Sequence, residues 1–319
     1  MENIGALLKA ASKQYNRGLP HHDHCRQLVM VAHNKLTSQS QNCLYGNFAA
    51  RPPVPYNVFS VGEIVSRPVR PDLYIDQQDI FLSSYDAMLD SLRAGPEDWS
   101  DEDVIRANRV VYSSVMSVAC CYDLWKRGSR KTPGTFFEIL MASFLQQMLP
   151  NAIFTKHIPL AALLQDPELA DGILESSSSD EQEDSESSSV STDLVIGFPS
   201  RPGGIVVPLK ITTRERIVQP FAHQRILDSA FGVDTYQSLL VCISETQLDD
   251  KTRSVKQVCV PGTVKLFQRY LAPIRALYYC DLPRRYTTLD MQKVISVRSV
   301  GNFFIDVFEL LKLHNASRN

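Results

Sequence analysis

The sequence predicts an α/β protein: a largely helical N-terminal region over residues 1–130, then a mixed central sheet flanked by helices over residues 131–319. Three observations predict it. Up to Met148 apolar residues recur at helical three-to-four spacing; after Pro150 they gather into short β-rich runs bounded by Pro and Gly; and those runs alternate with further helical segments. With 319 residues, 44% apolar and 21% charged, the chain can bury a substantial core and is neither fibrous nor disordered as a whole.

In chain order, Ile4 to Tyr15 and Cys25 to Leu36 carry the helical period. Arg51 to Pro71 holds five prolines and reads as an irregular but ordered loop. A helix follows at Gln78 to Ala94. Trp99-Ser100-Asp101-Glu102 places capping residues ahead of a long helix from about Val104 to Lys126, which Arg127-Gly128 ends. Thr132-Pro133 opens the next helix, whose apolar face of Phe136, Phe137, Ile139, Leu140, Phe144, Leu145 and Met148 stops at Pro150. Strands are expected at Ala152 to Ile158, Thr192 to Phe198, Gly204 to Ile211, Ser238 to Ser244 and Ala276 to Asp281. Helices are expected at Pro220 to Ala230, Val264 to Leu271 and Asn302 to Leu313. The stretch 175–191 is rich in Ser and acid; it cannot bury enough apolar surface to offset its ordering entropy and reads as a disordered insert.

That insert distorts the charge balance. The net charge is −2, yet six acids lie between Glu175 and Glu186 with no base among them, so the remainder carries +4. A mildly basic body with one acidic insert is compatible with an anionic partner, which the average alone argues against. Seven scattered cysteines without a C-x-x-C pair read as reduced thiols. No apolar run is long enough to span a membrane and Met1 to Gly18 is no signal peptide, so a soluble, cytoplasmic protein is expected, with no membrane partner.

The chemistry concentrates in two runs, Ser191 to Pro199 and Gly204 to Arg216, facing each other across a Pro-Gly-Gly turn. Antiparallel pairing through that turn brings Asp193, at the start of one strand, beside Lys210, near the end of the other. A carboxylate next to a lysine at one sheet end can hold a divalent cation and orient a water, the minimal equipment for phosphodiester hydrolysis. Glu138 is the candidate second carboxylate: an acid amid apolar neighbours on the preceding helix, costly there unless paired or metal-bound.

This order (helix with Glu138, strand, strand with Asp193, hairpin, strand with Lys210, helix) resembles the PD-(D/E)xK nuclease superfamily, and within it the type II restriction endonucleases. The resemblance covers roughly Thr132 to Ser244 and implies a restriction-endonuclease-like core. It implies that Asp193 ligates Mg2+, that Lys210 positions or activates the attacking water, and that Glu138 assists as catalytic residue and metal ligand. Two positions depart from the pattern. Thr192 precedes Asp193 where the family has Pro, and Pro208 stands where an acid usually lies two residues before the lysine. Some family members supply the missing acid from the next helix, about fourteen residues after the lysine; Gln224 holds that position here, with Glu215 as a second candidate.

The polar and basic set after Lys210, with Arg214, Arg216, His223 and Arg225, suits phosphate contacts, as do Lys126, Arg130 and Lys131 ahead of the Glu138 helix. Arg67, Arg70 and Arg284-Arg285 are further basic groups. The resemblance therefore implies a Mg2+-dependent, sequence-specific endonuclease of a restriction-modification system. It would cleave double-stranded DNA to leave 5′-phosphate ends, act as a homodimer, and have a cognate DNA methyltransferase as genetic partner. Residues 1–130 would serve recognition and dimerisation, residues 131–319 catalysis. A non-cleaving DNA-binding or assembly subunit of the same fold, which Pro208 and Gln224 favour, and a repair or transposition nuclease are the alternatives. His21-His22-Asp23-His24-Cys25 has no partner pair at zinc spacing and reads as a solvent-exposed helix entry; Cys120-Cys121 reads as core.

Overall fold

The computed structural model describes residues 1–47, 54–129, 131–160, 189–198, 201–249 and 254–316. Four helices come first: α1 (Glu2–Asn16), α2 (His22–Gln39), α3 (Gln78–Ala94) and α4 (Asp101–Trp125). Between α2 and α3 the chain forms three strands, β1 (Gln41–Asn47), β2 (Pro55–Val61) and β3 (Ile64–Val65), in one small antiparallel sheet. The expected proline-rich loop is thus half sheet. Pro55 stands at the first position of its strand, where proline is tolerated, so the prolines bound the sheet without breaking it. Ser100 caps α4 as expected, in a reciprocal capping box with Asp103.

Helix α5 (Thr132–Met148) leads into the main sheet, formed by β4 (Phe154–Pro159), β5 (Ser189–Gly197), β6 (Gly204–Val206), β7 (Leu209–Lys210), β8 (Tyr236–Cys242), β11 (Ala276–Tyr279) and β12 (Ser296–Ser299). The strand order is β12-β11-β8-β6-β5-β4, with β7 continuing β6 along β8. β4, β5 and β6 are antiparallel neighbours, whereas β6, β8, β11 and β12 run parallel, so the sheet is mixed. Helix α6 (Val218–Phe231) makes the crossover from β7 to β8, and α7 (Pro261–Tyr270) that from β8 to β11. A short hairpin of β9 (Thr246–Asp249) and β10 (Ser254–Gln257) branches off after β8, and α8 (Val300–Ala316) closes the chain. The hairpin, β12 and the small N-terminal sheet are additions to the expected elements.

Alternation along the strands divides the core between the sheet's two faces. Leu194, Ile196, Ile205, Leu239, Val241, Ala276 and Tyr278 point toward α4, α5 and α8, while Leu240, Cys242, Leu277 and Tyr279 point toward α6 and α7. The larger cluster runs from Ile4 in α1 to Leu311 in α8, so side chains from both sides of residue 130 share one core. Gly203 makes the β5–β6 turn possible: its φ is +113°, and a Cβ there would lie 2.1 Å from the Thr235 carbonyl.

Of the Ser-rich stretch, residues 175–188 lie outside the described residues. Ser189, Val190 and Ser191 belong to β5, paired with Pro159, Ile158 and His157, so the insert ends earlier than the sequence suggested. His21 and His22 correct another expectation. Both are buried, His21 with its ring nitrogens on the carbonyls of Leu19 and Ile139 and His22 among Tyr85 and Phe144, instead of facing solvent. No group of three or more metal-capable side chains occurs among the described residues.

Candidate active site

Asp193 lies in a break of the β4–β5 register. Thr155 pairs with Val195 but His157 pairs with Ser191, so Thr192, Asp193 and Leu194 bulge opposite the single residue Lys156. A bulge re-aims side chains, and here it leaves Asp193 facing the loop that follows β6. That loop contains Pro208, whose carbonyl accepts from Val241 of β8 at 3.0 Å; the last β5 ladder bond is from the Val207 N–H to the Leu194 carbonyl, and the next N–H on that side, from Leu209, goes to a side chain. Leu209 and Lys210 then continue alongside β8. The Oδ2 of Asp193 accepts from the Leu209 N–H at 2.7 Å and from Lys210 Nζ at 2.7 Å. The juxtaposition expected from the hairpin is present in these distances.

Glu138 faces the same place from α5. Burial raises its pKa, Lys156 opposes that rise with its ammonium 2.7 Å from Oε1, and the nearby Asp193 carboxylate adds to it. Asp193, Lys210, Glu138, Lys156 and His223 line a recess of about 280 Å³, which Gln219 and Pro220 of α6 close. His223 is held neutral-leaning by burial first and by Lys210 second. Tyr15 of α1 reaches in from the N-terminal region, its hydroxyl donating to the Asp193 carbonyl at 3.4 Å.

Gln224 is not brought there. It is 3% exposed and points to β8: its amide donates to Asp228 Oδ1 at 2.7 Å and to the Tyr236 carbonyl at 2.9 Å, and its Oε1 accepts from the Ser238 N–H at 3.0 Å. Three hydrogen bonds occupy the carboxamide, so the position expected to complete a metal site instead clamps α6 to the sheet. Its neighbour His223 takes the place in the recess, because a step of one residue turns a helix by about 100°. Glu215 and Arg214 lie in a 3-10 turn (Arg214–Ile217) and their side chains fall outside the description.

The recess adjoins a cleft of about 1800 Å³ whose lining includes Glu138, Asp193 and Lys210. Lys126, Arg127, Lys131 and Arg216 line it and are exposed, as expected for phosphate-facing groups. Arg130 lies outside the described residues, and Arg225 is exposed on α6 away from the cleft lining. Two other basic residues are spent internally. Arg67 is held by Asp123, with Nε 2.8 Å from Oδ2, and Arg70 pairs with Asp72 and with buried Asp281, whose Oδ1 lies 2.9 Å from Nη1. Lys156 and Tyr15 are the site residues that sequence reasoning missed. Lys156 left only a faint signal, one cation in a short strand with Thr155 and His157 beside it; Tyr15 left none, since it reads as one more apolar helix position.

A hard divalent cation fits this donor set. Two carboxylates, on α5 and on the β5 bulge, face one recess, and Asp193 adds to the cost of ionising Glu138, which a cation between them would relieve.

No protein-family model and no curated protein sequence matches the chain. Among solved structures, the crystal structure of the type IIP restriction endonuclease Kpn2I matches with a TM-score of 0.86 at 44% identity, covering 98% of this chain and 98% of that one. This chain belongs to the type II restriction endonuclease family. The complex of restriction endonuclease PspGI with substrate DNA matches at 14% identity with a TM-score of 0.43, covering 74% of this chain and 93% of that one, a likeness too slight to bear on the site. Family membership agrees with the order of elements around Asp193, Lys210 and Glu138. No helix among the described residues is long and apolar enough to cross a membrane.

Proposed function

We propose that this restriction endonuclease cleaves double-stranded DNA at a specific sequence in the presence of Mg2+, with Asp193, Lys210 and Glu138 as its catalytic residues. The observation that carries the reading is the 2.7 Å Asp193–Lys210 pair beside Glu138, set in the wall of a cleft edged by exposed Lys and Arg. Asp193 and Glu138 would hold the ion, which when bound neutralises the scissile phosphate and lowers the pKa of a water. Asp193 is fixed for this by the Leu209 N–H, a donor that no side-chain rotation removes. Lys210, held against Asp193, would direct its remaining N–H donors at the water or at a non-bridging phosphate oxygen. Attack in line then leaves 5′-phosphate ends.

Lys126, Lys131 and Arg216 would contact the DNA backbone, and the first 130 residues would contribute recognition and dimerisation. Two strands need two sites, which a symmetric homodimer supplies. A cognate DNA methyltransferase would protect the host, and the buried free thiols suit a reducing cytoplasm. The test is a digest of unmethylated phage DNA in Mg2+ against EDTA. Discrete bands that vanish with EDTA support the reading; a smear points instead to a repair-type nuclease. A second reading, a non-cleaving DNA-binding subunit, is favoured by the donor set holding two carboxylates now that Gln224 is spoken for, and binding without cutting would establish it.

A further inference from the structure

Lys156 stands directly opposite the bulge that presents Asp193, and its ammonium touches the other proposed metal ligand, Glu138, at 2.7 Å. It also has two further partners on α1: Nζ lies 4.3 Å from the centre of the Tyr15 ring and 3.3 Å from Asn16 Oδ1. Its side chain is 35% exposed against 17% for Glu138, so the lysine is the more exposed of the two. A cation held on one side by a carboxylate, and on the other by an aromatic face and an amide oxygen, keeps partners when the carboxylate is claimed.

Resting on the function proposed above, we propose that Lys156 is a built-in counter-ion of the metal site. It holds Glu138 while the site is empty, and gives up that partner but keeps Tyr15 and Asn16 when a divalent cation enters. Metal entry therefore works against an ion pair it must break and against the charge of the displaced ammonium. Lys156 is a positioning residue that acts through Glu138; it sets the metal concentration the enzyme needs, leaving Lys210 to face the phosphate. Because Tyr15 and Asn16 belong to α1, the N-terminal helix takes part in setting metal affinity.

The test is Mn2+ binding by the full chain without DNA, read as loss of the free-ion signal in electron paramagnetic resonance, alongside thermal melting in EDTA. Lys156→Met should tighten Mn2+ binding on the order of tenfold, the scale expected when a unit charge a few ångströms from a cation is removed. Lys156→Arg, which keeps the charge, should bind as weakly as the wild type. Lys156→Met should also melt lower than wild type in EDTA, because Glu138 loses its partner, and regain the difference on adding Mn2+. Should Lys156→Met not fold, Lys156→Gln, neutral but still a donor to Glu138, replaces it with the same expected gain. Unchanged or weaker binding in the neutral variants overturns the proposal. Glu138→Gln and Asp193→Asn keep the two failures apart. If both weaken Mn2+ binding and the neutral Lys156 variants show no gain, the counter-ion role alone is lost. If neither weakens it, the metal site itself is misplaced and the proposed mechanism falls with it.

Discussion

Gln224→Glu is the substitution that tests most sharply how α6 is placed, because it puts an acid at the position the sequence suggested as a third metal ligand. In this structure the change harms the fold and does not help the site. A carboxylate cannot donate, so the bonds to Asp228 Oδ1 at 2.7 Å and to the Tyr236 carbonyl at 2.9 Å are both lost, and the new charge sits against Asp228 at a position 3% exposed. Each lost bond removes about 1 kcal/mol, the carbonyl left without its donor costs about 1–3 kcal/mol more, and an uncompensated buried charge is of similar size. The sum is a destabilisation of about 4–8 kcal/mol at pH 8, measured as a shift of the urea midpoint at unchanged slope. Burial and Asp228 both raise the folded-state pKa of the introduced carboxyl above its unfolded value, so the penalty sets in as pH rises through the ordinary carboxylate range and fades toward pH 4. Mn2+ binding should be no tighter than wild type. A variant as stable as wild type at pH 8 that also binds Mn2+ more tightly would refute the clamp and place residue 224 at the ion.

Three further outcomes are expected. Asp193→Asn and Lys210→Ala should each lower cleavage by about 10³-fold or more while leaving the urea midpoint near wild type, since Asp193 is replaced by an isostere that still accepts from Leu209; near wild-type cutting by either variant would put the site elsewhere. His22 is buried without a hydrogen-bond partner on either ring nitrogen, and burial pushes its pKa down to about 4. The unfolded chain therefore takes up its proton first, and stability should fall by up to about 3 kcal/mol as pH drops from about 6.5 to 4; His22→Phe, packed against Tyr85 and Phe144, should flatten that part of the stability profile. Gly301→Ala would set a Cβ 2.1 Å from the Val104 carbonyl and force α8 off α4, costing about 3 kcal/mol in urea unfolding.

What the sequence revealed follows from the range of the forces involved. The helix of Glu138, the β5–β6 hairpin and the meeting of Asp193 with Lys210 are set by local periodicity and a short turn, and all are found within a few residues of their expected bounds. Contacts between segments distant in sequence were not legible. Arg67 and Arg70 read as free cations because Asp123 and Asp281, which hold them, lie on other elements. Gln224 and His223 are equally polar neighbours, and only the register of α6 against β8 decides which of them enters the recess. Pro55 and Pro68 suggested a loop, since proline marks both loops and strand edges. His21 looked solvated because nothing local announces that the Ile139 carbonyl waits for its ring.

The core that joins Ile4 to Leu311 has a practical consequence for anyone wishing to alter what this enzyme cuts. Among the described residues there is no seam along which a recognition unit could be unplugged and another inserted: the helices that would read DNA are packed against the same side chains that hold α5, and with it Glu138, in place. Exchanging whole segments with a relative would disturb the cleavage chemistry along with the target preference. Replacing the exposed Lys126, Lys131 or Arg216 on the cleft rim would spare that core but, as proposed backbone contacts, would change affinity and its salt dependence and not the target sequence.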